Sequence, residues 1–555
     1  MKFSSIPLAQ TISQLCLAKE IRHIVICPGS RNAPLTINFT ENEAFKAYSI
    51  VDERSAAFFA LGMAQQLKHP VAVICTSGSA VLNFYPAVAE AFYSDIPLVV
   101  ISADRPADKI DIGDGQTIRQ ENVFANHILY SANLQMGEEQ QVFNETQINV
   151  ALNAAIELNG PVHINAPFEE PLYVTREDLT VRPQHVPARR LPKSTDQRFE
   201  KEAKLWNSAS KKLIVVGVFP HESLPNEVIH FLGNLPDVLV FTETTSNLHH
   251  PNFISCIDQL ITSLSEEEFK ELQPNILLTM GGMVVSKRIK AFLRKFKPET
   301  HWHVDEKKAY DTYGCLTEHF KMSAKSFFEK FIPQIESKES VYQSQWLSLK
   351  SYRESKHREY LTQIPFSDLK AFKSIFENLP WHTVIHISNS AAIRYAQLFQ
   401  INKHIVVYCN RGTSGIDGST STAIGNAVIS EKQNIMITGD LSFFYDSNAL
   451  WNQYIPNNFK IIVVNNNGGG IFRILPGNKN TPNFDTYFET THQLTAKHLC
   501  EMYGLNYNVA YDEKELAAIW EDFYNNSQQP NVLEIFTDRL KNDEILLQYF
   551  QFLRQ

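Results

Sequence analysis

The chain has 555 residues, 44% of them hydrophobic, and carries 51 Lys and Arg against 60 Asp and Glu for a formal net charge of −9. That balance belongs to a folded globular protein and excludes disorder as the main state. Without a long basic run it lacks the charge pattern that neutralises a phosphate backbone, so nucleic acid is not an expected partner.

At roughly 100–200 residues per domain the length predicts about three domains. The first residues, MKFSSIPLAQ, hold no apolar signal region, and no stretch reaches the ~18 uninterrupted apolar residues of a membrane span. A cytoplasmic location is expected. The seven cysteines are scattered and include no C-x-x-C pair, which fits neither a disulfide framework nor a thiolate zinc site.

In chain order, the first 175 or so residues alternate β-branched runs with helix-like stretches. The runs are HIVIC (23–27), YSIV (48–51), VAVIC (71–75), PLVVIS (97–102) and VHINA (162–166), and AAFFALGMAQQL (56–67) and LNFYPAVAEAFY (82–93) are the helical segments. This rhythm predicts a parallel sheet covered on both faces, with its strand C-termini along one edge where ligands bind. Residues 176–200, rich in proline and charge, read as a linker. A second series comes next, with KLIVVGVF (212–219), DVLVF (237–241), NILLTMGG (275–282) and HWHVD (301–305). After a charged stretch there is a third, with TVIHIS (383–388), HIVVYCN (404–410), QNIMITGD (433–440), FKIIVVNNN (459–467) and NVLEIF (531–536). The expected fold is α/β, three doubly wound parallel-sheet domains in tandem, spanning 1–180, 195–340 and 366–555.

The sharpest motif lies in ITGDLSFFYDSNALWNQYIPNNFKIIVVNNNGGG (437–470). One strand ends at Gly439-Asp440, a helix-length segment comes after it, and a second strand ends at Asn465-Asn466-Asn467. Both strands of a βαβ unit run the same way, so Asp440 and Asn466 should emerge on one edge and share a cation. With the Gly468 carbonyl they make a hard oxygen donor set of the kind Mg²⁺ prefers. Gly439 and glycines 468–470 are expected to let backbone approach the ligand closely. Dinucleotide and Walker phosphate patterns are absent here, so a different phosphate ligand is required.

Gly-Asp, then about two dozen residues, then Asn-Asn resembles the thiamine diphosphate enzymes of the pyruvate decarboxylase and acetolactate synthase type, with Leu441 in place of the usual second glycine. The set PGSRNAPLT, VDERSAAFFALGMA, TSGSAVLNFYPAVAEA, ISADRP, NRGTSGIDG and GDLSFFYD…NNNGGGIF resembles more closely the branch that acts in menaquinone biosynthesis. The resemblance implies a pyrimidine-binding first domain and a diphosphate- and metal-binding third domain. It implies thiamine diphosphate and Mg²⁺ (or Mn²⁺) as cofactors, and 2-oxoglutarate and isochorismate as substrates. A homodimer or homotetramer with active sites between protomers is implied as well.

The same resemblance makes Glu53 the catalytic glutamate, set against the pyrimidine. It assigns Ser388, Gly412, Ile416, Gly439, Asp440, Leu441, Asn466, Gly468 and Ile471 to cofactor binding, with Ile416 as an apolar wedge. Ser30, Arg31, Arg105, Gln116, Lys287, Arg394 and Arg411 are assigned to substrate, with Phe472 and Leu475 beside them. Accumulated arginines at predicted loop edges suit a substrate pair with several carboxylates. Another thiamine diphosphate lyase, or a non-catalytic cofactor-binding homologue, remains the alternative.

Overall fold

A computed structural model of the chain describes residues 2–189, 199–475, 477, 479, 481–526 and 528–555. Residues 190–198 of the expected linker lie outside these. The first sheet contains β1 (His23–Ile26), β2 (Lys46–Ser49), β3 (Val71–Cys75), β4 (Leu98–Asp104), β5 (Ser131–Asn133) and β6 (Val162–Pro167), in the order β2-β1-β3-β4-β6-β5. All its pairings are parallel. β3 and β4 are buried along their whole length, which is why they read as continuous apolar runs instead of alternating ones.

Helix α1 (Glu53–Leu67) comes after β2. The helix expected over 82–93 is two helices, Ala80–Asn83 and Tyr85–Ser94, because Pro86 has no amide to continue the ladder through Phe84. Part of the expected linker is strapped to this first layer. Thr180 donates its amide to Gln10, Val186 bonds through N–H to Asn149, and Lys19 donates to the Val186 carbonyl.

The second sheet holds β7 (Lys212–Val216), β8 (Val238–Phe241), β9 (Ile276–Met280), β10 (Thr300–Val304) and β11 (Glu318–Phe320), ordered β8-β7-β9-β10-β11, with helix α2 (Lys287–Lys295) after β9. The third holds β12 (Val384–Ile387), β13 (Val406–Tyr408), β14 (Asn434–Gly439), β15 (Lys460–Asn465), β16 (Asn506–Ala510) and β17 (Asn531–Phe536), ordered β13-β12-β14-β15-β17-β16. Both are parallel throughout. Helix α3 (Ser419–Ile429) precedes β14, and α4 (Asp440–Tyr445) and α5 (Ile471–Ile474) come after β14 and β15. The charged stretch before the third sheet is largely one helix, Tyr342–Gln363.

The middle layer docks on the third through an asparagine that imitates a strand. Asn247 Nδ2 donates to the Val407 carbonyl at 3.1 Å and the Val407 amide donates to Asn247 Oδ1 at 2.8 Å, closing the edge of β13. The first and third layers share one core, in which Phe58, Phe59 and Met63 of α1 are continuous with Ala423 and Ile424 of α3. Their helices cross at two glycines. A Cβ on Gly62 would stand 2.0 Å from the Thr422 carbonyl oxygen, and one on Gly425 would stand 2.0 Å from that of Phe59. Among the described residues no helix is long and apolar enough to cross a membrane.

Since neither carbonyl can yield without moving its helix, Gly425→Ala is expected to cost about 1–3 kcal/mol and to lower the melting temperature. Scanning calorimetry beside a solvent-facing control such as Glu431→Ala checks this, and an unchanged melting temperature would count against so tight a crossing.

Candidate active site

Register decides what meets at the edge of the third sheet. Ile387 pairs with Ile437 and Gly439 with Val464, so Ser388, Asp440 and Asn466 leave three adjacent strand ends. The crossover between Asp440 and Asn466 is shorter in helix than expected, α4 being succeeded by a 3-10 turn at Ser447–Leu450. Ser388 Oγ accepts the Gly439 amide at 3.4 Å. Asp440 is buried; its Oδ1 accepts the Leu441 amide at 2.6 Å and its Oδ2 the Gly468 amide at 3.0 Å.

Asn466 donates Nδ2 to Asp368 at 2.9 Å, while its Oδ1 is buried with no hydrogen-bond partner among the described residues. A Cβ built on Gly439 meets nothing within 4 Å, so space opens beside these groups. An orphaned amide oxygen, a carboxylate and the Gly468 carbonyl suit a hard divalent cation whose other positions are filled by phosphate oxygens. Among the described residues no group of three or more His, Cys, Asp or Glu could hold a metal. A cation here would therefore depend on one carboxylate together with neutral oxygens. His492 Nε2 lies 3.3 Å from Asp440 Oδ2, a neighbour without any signal in the sequence.

Two of the three glycines also make a close approach within the protein. Gly469 donates its amide to the Glu489 carbonyl at 2.6 Å, and Cβ atoms on Gly468 and Gly469 would come within 2.9 and 3.2 Å of that oxygen. The loop lies against chain, with Gly468 at φ 155°, and the close approach is to the Glu489 backbone. The fully buried Glu489 side chain is held by Arg473 at 2.7 Å and Arg539 at 2.6 Å. Beyond it Ile471 is buried, Phe472 is 39% exposed with its ring edge-on to Phe488, and Leu475 is half-buried.

The loop from Asn410 to Gly418 is clamped from two sides. Asn389 Nδ2 donates to the carbonyls of Asn410 and Gly415, both at 2.7 Å, and its Oδ1 accepts Arg411 Nη1 at 2.7 Å. From the first layer, the buried Glu90 accepts the Gly412 and Thr413 amides at 2.7 Å each, and the Thr413 hydroxyl at 2.9 Å. A Cβ on Gly412 would lie 2.7 Å from the Glu90 carbonyl oxygen, so this glycine answers to Glu90 and its amide is already spent there. Ser442 Oγ donates to the Ile416 carbonyl at 2.7 Å, and the Ile416 side chain stays 36% exposed. Ser390 and Ser414 are held at φ 69° and 61°, costly for non-glycine residues and common where a site fixes its loops. Sequence reasoning does not reach Glu90 or Asn389. A lone glutamate inside the apolar run YPAVAEAFY is the available signal for the first.

Lys287 is exposed at the start of α2, and the segment before it is fixed. Glu243 accepts the Val285 and Ser286 amides at 2.6 and 2.7 Å, and burial pushes its carboxyl up to about 7 in spite of these bonds. Asp258, also raised by burial, accepts the Ser286 hydroxyl. Val285 packs into the core of the third layer. Arg411 acts electrostatically on Glu243 and Arg394 on Asp258, so these two arginines face the carboxylates that hold Ser286, the residue before Lys287. Arg394 donates to the Ser390 carbonyl.

The other group sits on the first layer. Asp52 caps α1 through the Ser55 amide at 3.0 Å and accepts Asn448 Nδ2 at 2.7 Å, which ties the helix start to the third layer. Glu53 is next, half-buried, and burial lifts its carboxyl above the ordinary value. Its charge adds to the burial that raises the thiols of Cys27 and Cys75 at the ends of β1 and β3. Arg31 turns inward, donating to the Phe168 carbonyl at 3.0 Å and Glu170 at 3.3 Å, and Arg105 donates to the Gly115 carbonyl at 3.2 Å. Ser30 and Gln116 are exposed, with Gln116 at φ 54°.

Removing the Glu90 carboxylate strands the buried Gly412 amide, at about 1–3 kcal/mol, and releases the more accessible Thr413 amide. Glu90→Ala is therefore expected to lower the urea midpoint and to speed hydrogen exchange at Gly412 and Thr413. Unchanged exchange at those amides would mean that Asn389 alone holds the loop.

Comparison with known proteins agrees with this layout. Residues 6–128 match the N-terminal TPP binding domain of thiamine pyrophosphate enzymes, 189–387 their middle domain and 389–535 their C-terminal TPP binding domain. The chain is 57% identical over 553 residues to a 2-succinyl-5-enolpyruvyl-6-hydroxy-3-cyclohexene-1-carboxylate synthase of Flavobacterium psychrophilum and 54% identical over 576 residues to that of Christiangramia forsetii, with 100% of both chains covered each time. The synthase of Porphyromonas gingivalis is 37% identical over 551 residues, 96% of this chain and 95% of its own. With all three parts of the thiamine pyrophosphate fold matched and the synthases matched end to end, the chain belongs to the 2-succinyl-5-enolpyruvyl-6-hydroxy-3-cyclohexene-1-carboxylate synthase family of thiamine pyrophosphate enzymes.

Proposed function

We propose that this enzyme decarboxylates 2-oxoglutarate and joins the succinyl remnant to isochorismate by 1,4-addition, forming 2-succinyl-5-enolpyruvyl-6-hydroxy-3-cyclohexene-1-carboxylate in the cytoplasm. The observation that carries the cofactor part is the buried, unpartnered Asn466 Oδ1 beside Asp440, with open space at Gly439. When bound, thiamine diphosphate supplies the nucleophilic carbon and the electron sink for decarboxylation. Asp440, Asn466 and the Gly468 carbonyl hold a divalent cation, Mg²⁺ or Mn²⁺, against its diphosphate. Ser388, Gly439, Leu441 and Ile471 line that end, Gly412 shapes the loop, and Ile416 offers an apolar side chain to the middle of the cofactor.

Glu53 hydrogen-bonds a pyrimidine nitrogen through its carboxyl. Its half-buried place at a helix start and its raised carboxyl support that role. Arg394, Arg411 and Lys287 form one cationic group for substrate carboxylates, and Ser30, Arg31, Arg105 and Gln116 form the other. Phe472 and Leu475 close the apolar side. We assign pyrimidine binding to residues 1–180 and diphosphate binding to 366–555, with a central α/β domain at 195–340 between them. A homodimer or homotetramer would bring the first group of one protomer to the second group of its partner.

CO₂ release from 2-oxoglutarate, with thiamine diphosphate and Mg²⁺, should be measured with and without isochorismate. Release from 2-oxoglutarate and a coupled product with isochorismate are expected; pyruvate consumed and 2-oxoglutarate ignored would overturn the substrate assignment. Glu53→Gln should lower turnover by about 10²–10⁴-fold while thiamine diphosphate affinity, read by fluorescence quenching, changes little. Wild-type turnover in that variant would remove Glu53 from the chemistry.

A further inference from the structure

Asp368 opens the helix Asp368–Glu377, is buried, and makes no ion pair among the described residues. Its partners form a directed chain. Asn542 Nδ2 donates to Thr537 Oγ1 at 3.1 Å, Thr537 Oγ1 donates to Asp368 Oδ1, and Asn466 Nδ2 donates to Asp368 Oδ2 at 2.9 Å. The Asp368 amide in turn donates to Asn542 Oδ1 at 2.8 Å. An ionised carboxylate accepts and cannot donate. Turning the Asn466 amide over would set its oxygen against the Asp368 oxygen and destroy the contact, so the polarity of the network fixes which end of Asn466 faces inward and which faces the site.

We propose that Asp368 is a positioning residue that turns the carbonyl oxygen of Asn466 toward the divalent cation and withholds the amide NH₂ from it. The inference rests on the cation-binding reading above and adds the group that orients the ligand. Were Asp368 absent, the Asn466 side chain could rotate, and an NH₂ facing the cation would repel it. Outer partners of this kind act on metal affinity through the geometry of the ligand they hold. Thr537 lies just past β17 and Asn466 just past β15, so Asp368 also joins two neighbouring strand ends.

The test uses the full chain, stripped of metal by a chelator and recharged with thiamine diphosphate, with free Mn²⁺ read by electron paramagnetic resonance. The proposal expects Asp368→Ala to weaken Mn²⁺ binding about 10–100-fold. The isosteric exchange of Asp368→Asn together with Asn466→Asp keeps one donor facing one acceptor, so it serves even where the alanine variant fails to fold. It should bind Mn²⁺ within about tenfold of wild type. Wild-type affinity in Asp368→Ala, or an exchange variant that loses Mn²⁺ as fully as Asn466→Ala, would overturn the positioning role and leave the cation site standing. Absence of Mn²⁺ binding by the wild-type protein with its cofactor would bring down the cation reading, and this inference with it.

Discussion

Parallel pairing in fixed register is the constraint on which the site depends. Because β12, β14 and β15 are neighbours running one way, the residues just beyond their last pairs gather at one edge, and those residues are Ser388, Asp440 and Asn466. The first sheet has the same strand order, and there the corresponding edge presents Cys27, Glu53 and Cys75. The likeness extends to the helices. α1 leaves the second strand of its sheet and α3 the second strand of its own, and the two pack on each other with Gly62 over Thr422 and Gly425 over Phe59. Each helix offers a glycine three residues beyond the carbonyl that its partner's glycine covers. The crossing is therefore nearly symmetric, and side chains at those positions would push apart the two layers that share a core.

Loops that carry the candidate functional residues are held by buried carboxylates bonded to neutral donors. Glu90 takes the amides of Gly412 and Thr413, and Glu243 those of Val285 and Ser286. Asp446 takes the amide and hydroxyl of Ser421, and Glu534 takes Asn465 Nδ2 at 2.7 Å, the Thr495 hydroxyl and the Tyr507 hydroxyl. A carboxylate accepts several bonds in divergent directions, each worth about 1.5–3 kcal/mol when charged. One such group can thus set the path of a loop that has no regular secondary structure. Burial strengthens these bonds and makes the loss of one expensive, so the segments they hold should stay rigid.

The strands, their parallel arrangement and the pair Asp440 and Asn466 are legible in the sequence because each rests on local pattern: an apolar run, a polar strand end, a second such end one crossover later. Glu53 is singled out only through the resemblance, because an acidic pair at a helix start is otherwise an ordinary favourable match to the helix dipole. Glu90, Asn389, Asp368 and Glu489 are not legible, since what defines them is a partner far along the chain, as with Glu90 and Gly412 in different layers. The glycines at 468–470 are only partly legible. A run of glycine announces a close approach but not to what, and here Gly468 and Gly469 lie against the Glu489 backbone and Gly470 against the Asn466 side chain. Similarly, a segment rich in proline and charge has the composition of a linker, yet Thr180 and Val186 are pinned by the side-chain amides of Gln10 and Asn149, contacts that composition alone does not encode.

Leu441, where the related motif carries glycine, is the feature that would suggest a degenerate site. Its surroundings argue otherwise. It lies in the first turn of α4, a right-handed helical conformation open to any residue except where proline would remove the amide. The contribution it makes to Asp440 is its backbone N–H, bonded to Oδ1 at 2.6 Å, and that group is independent of the side chain. The space beside the strand end is kept by Gly439, one residue before Asp440, where an added Cβ would meet nothing in the protein itself. The Leu441 side chain is half-buried, and the amide it gives to Asp440 is one that glycine would supply equally.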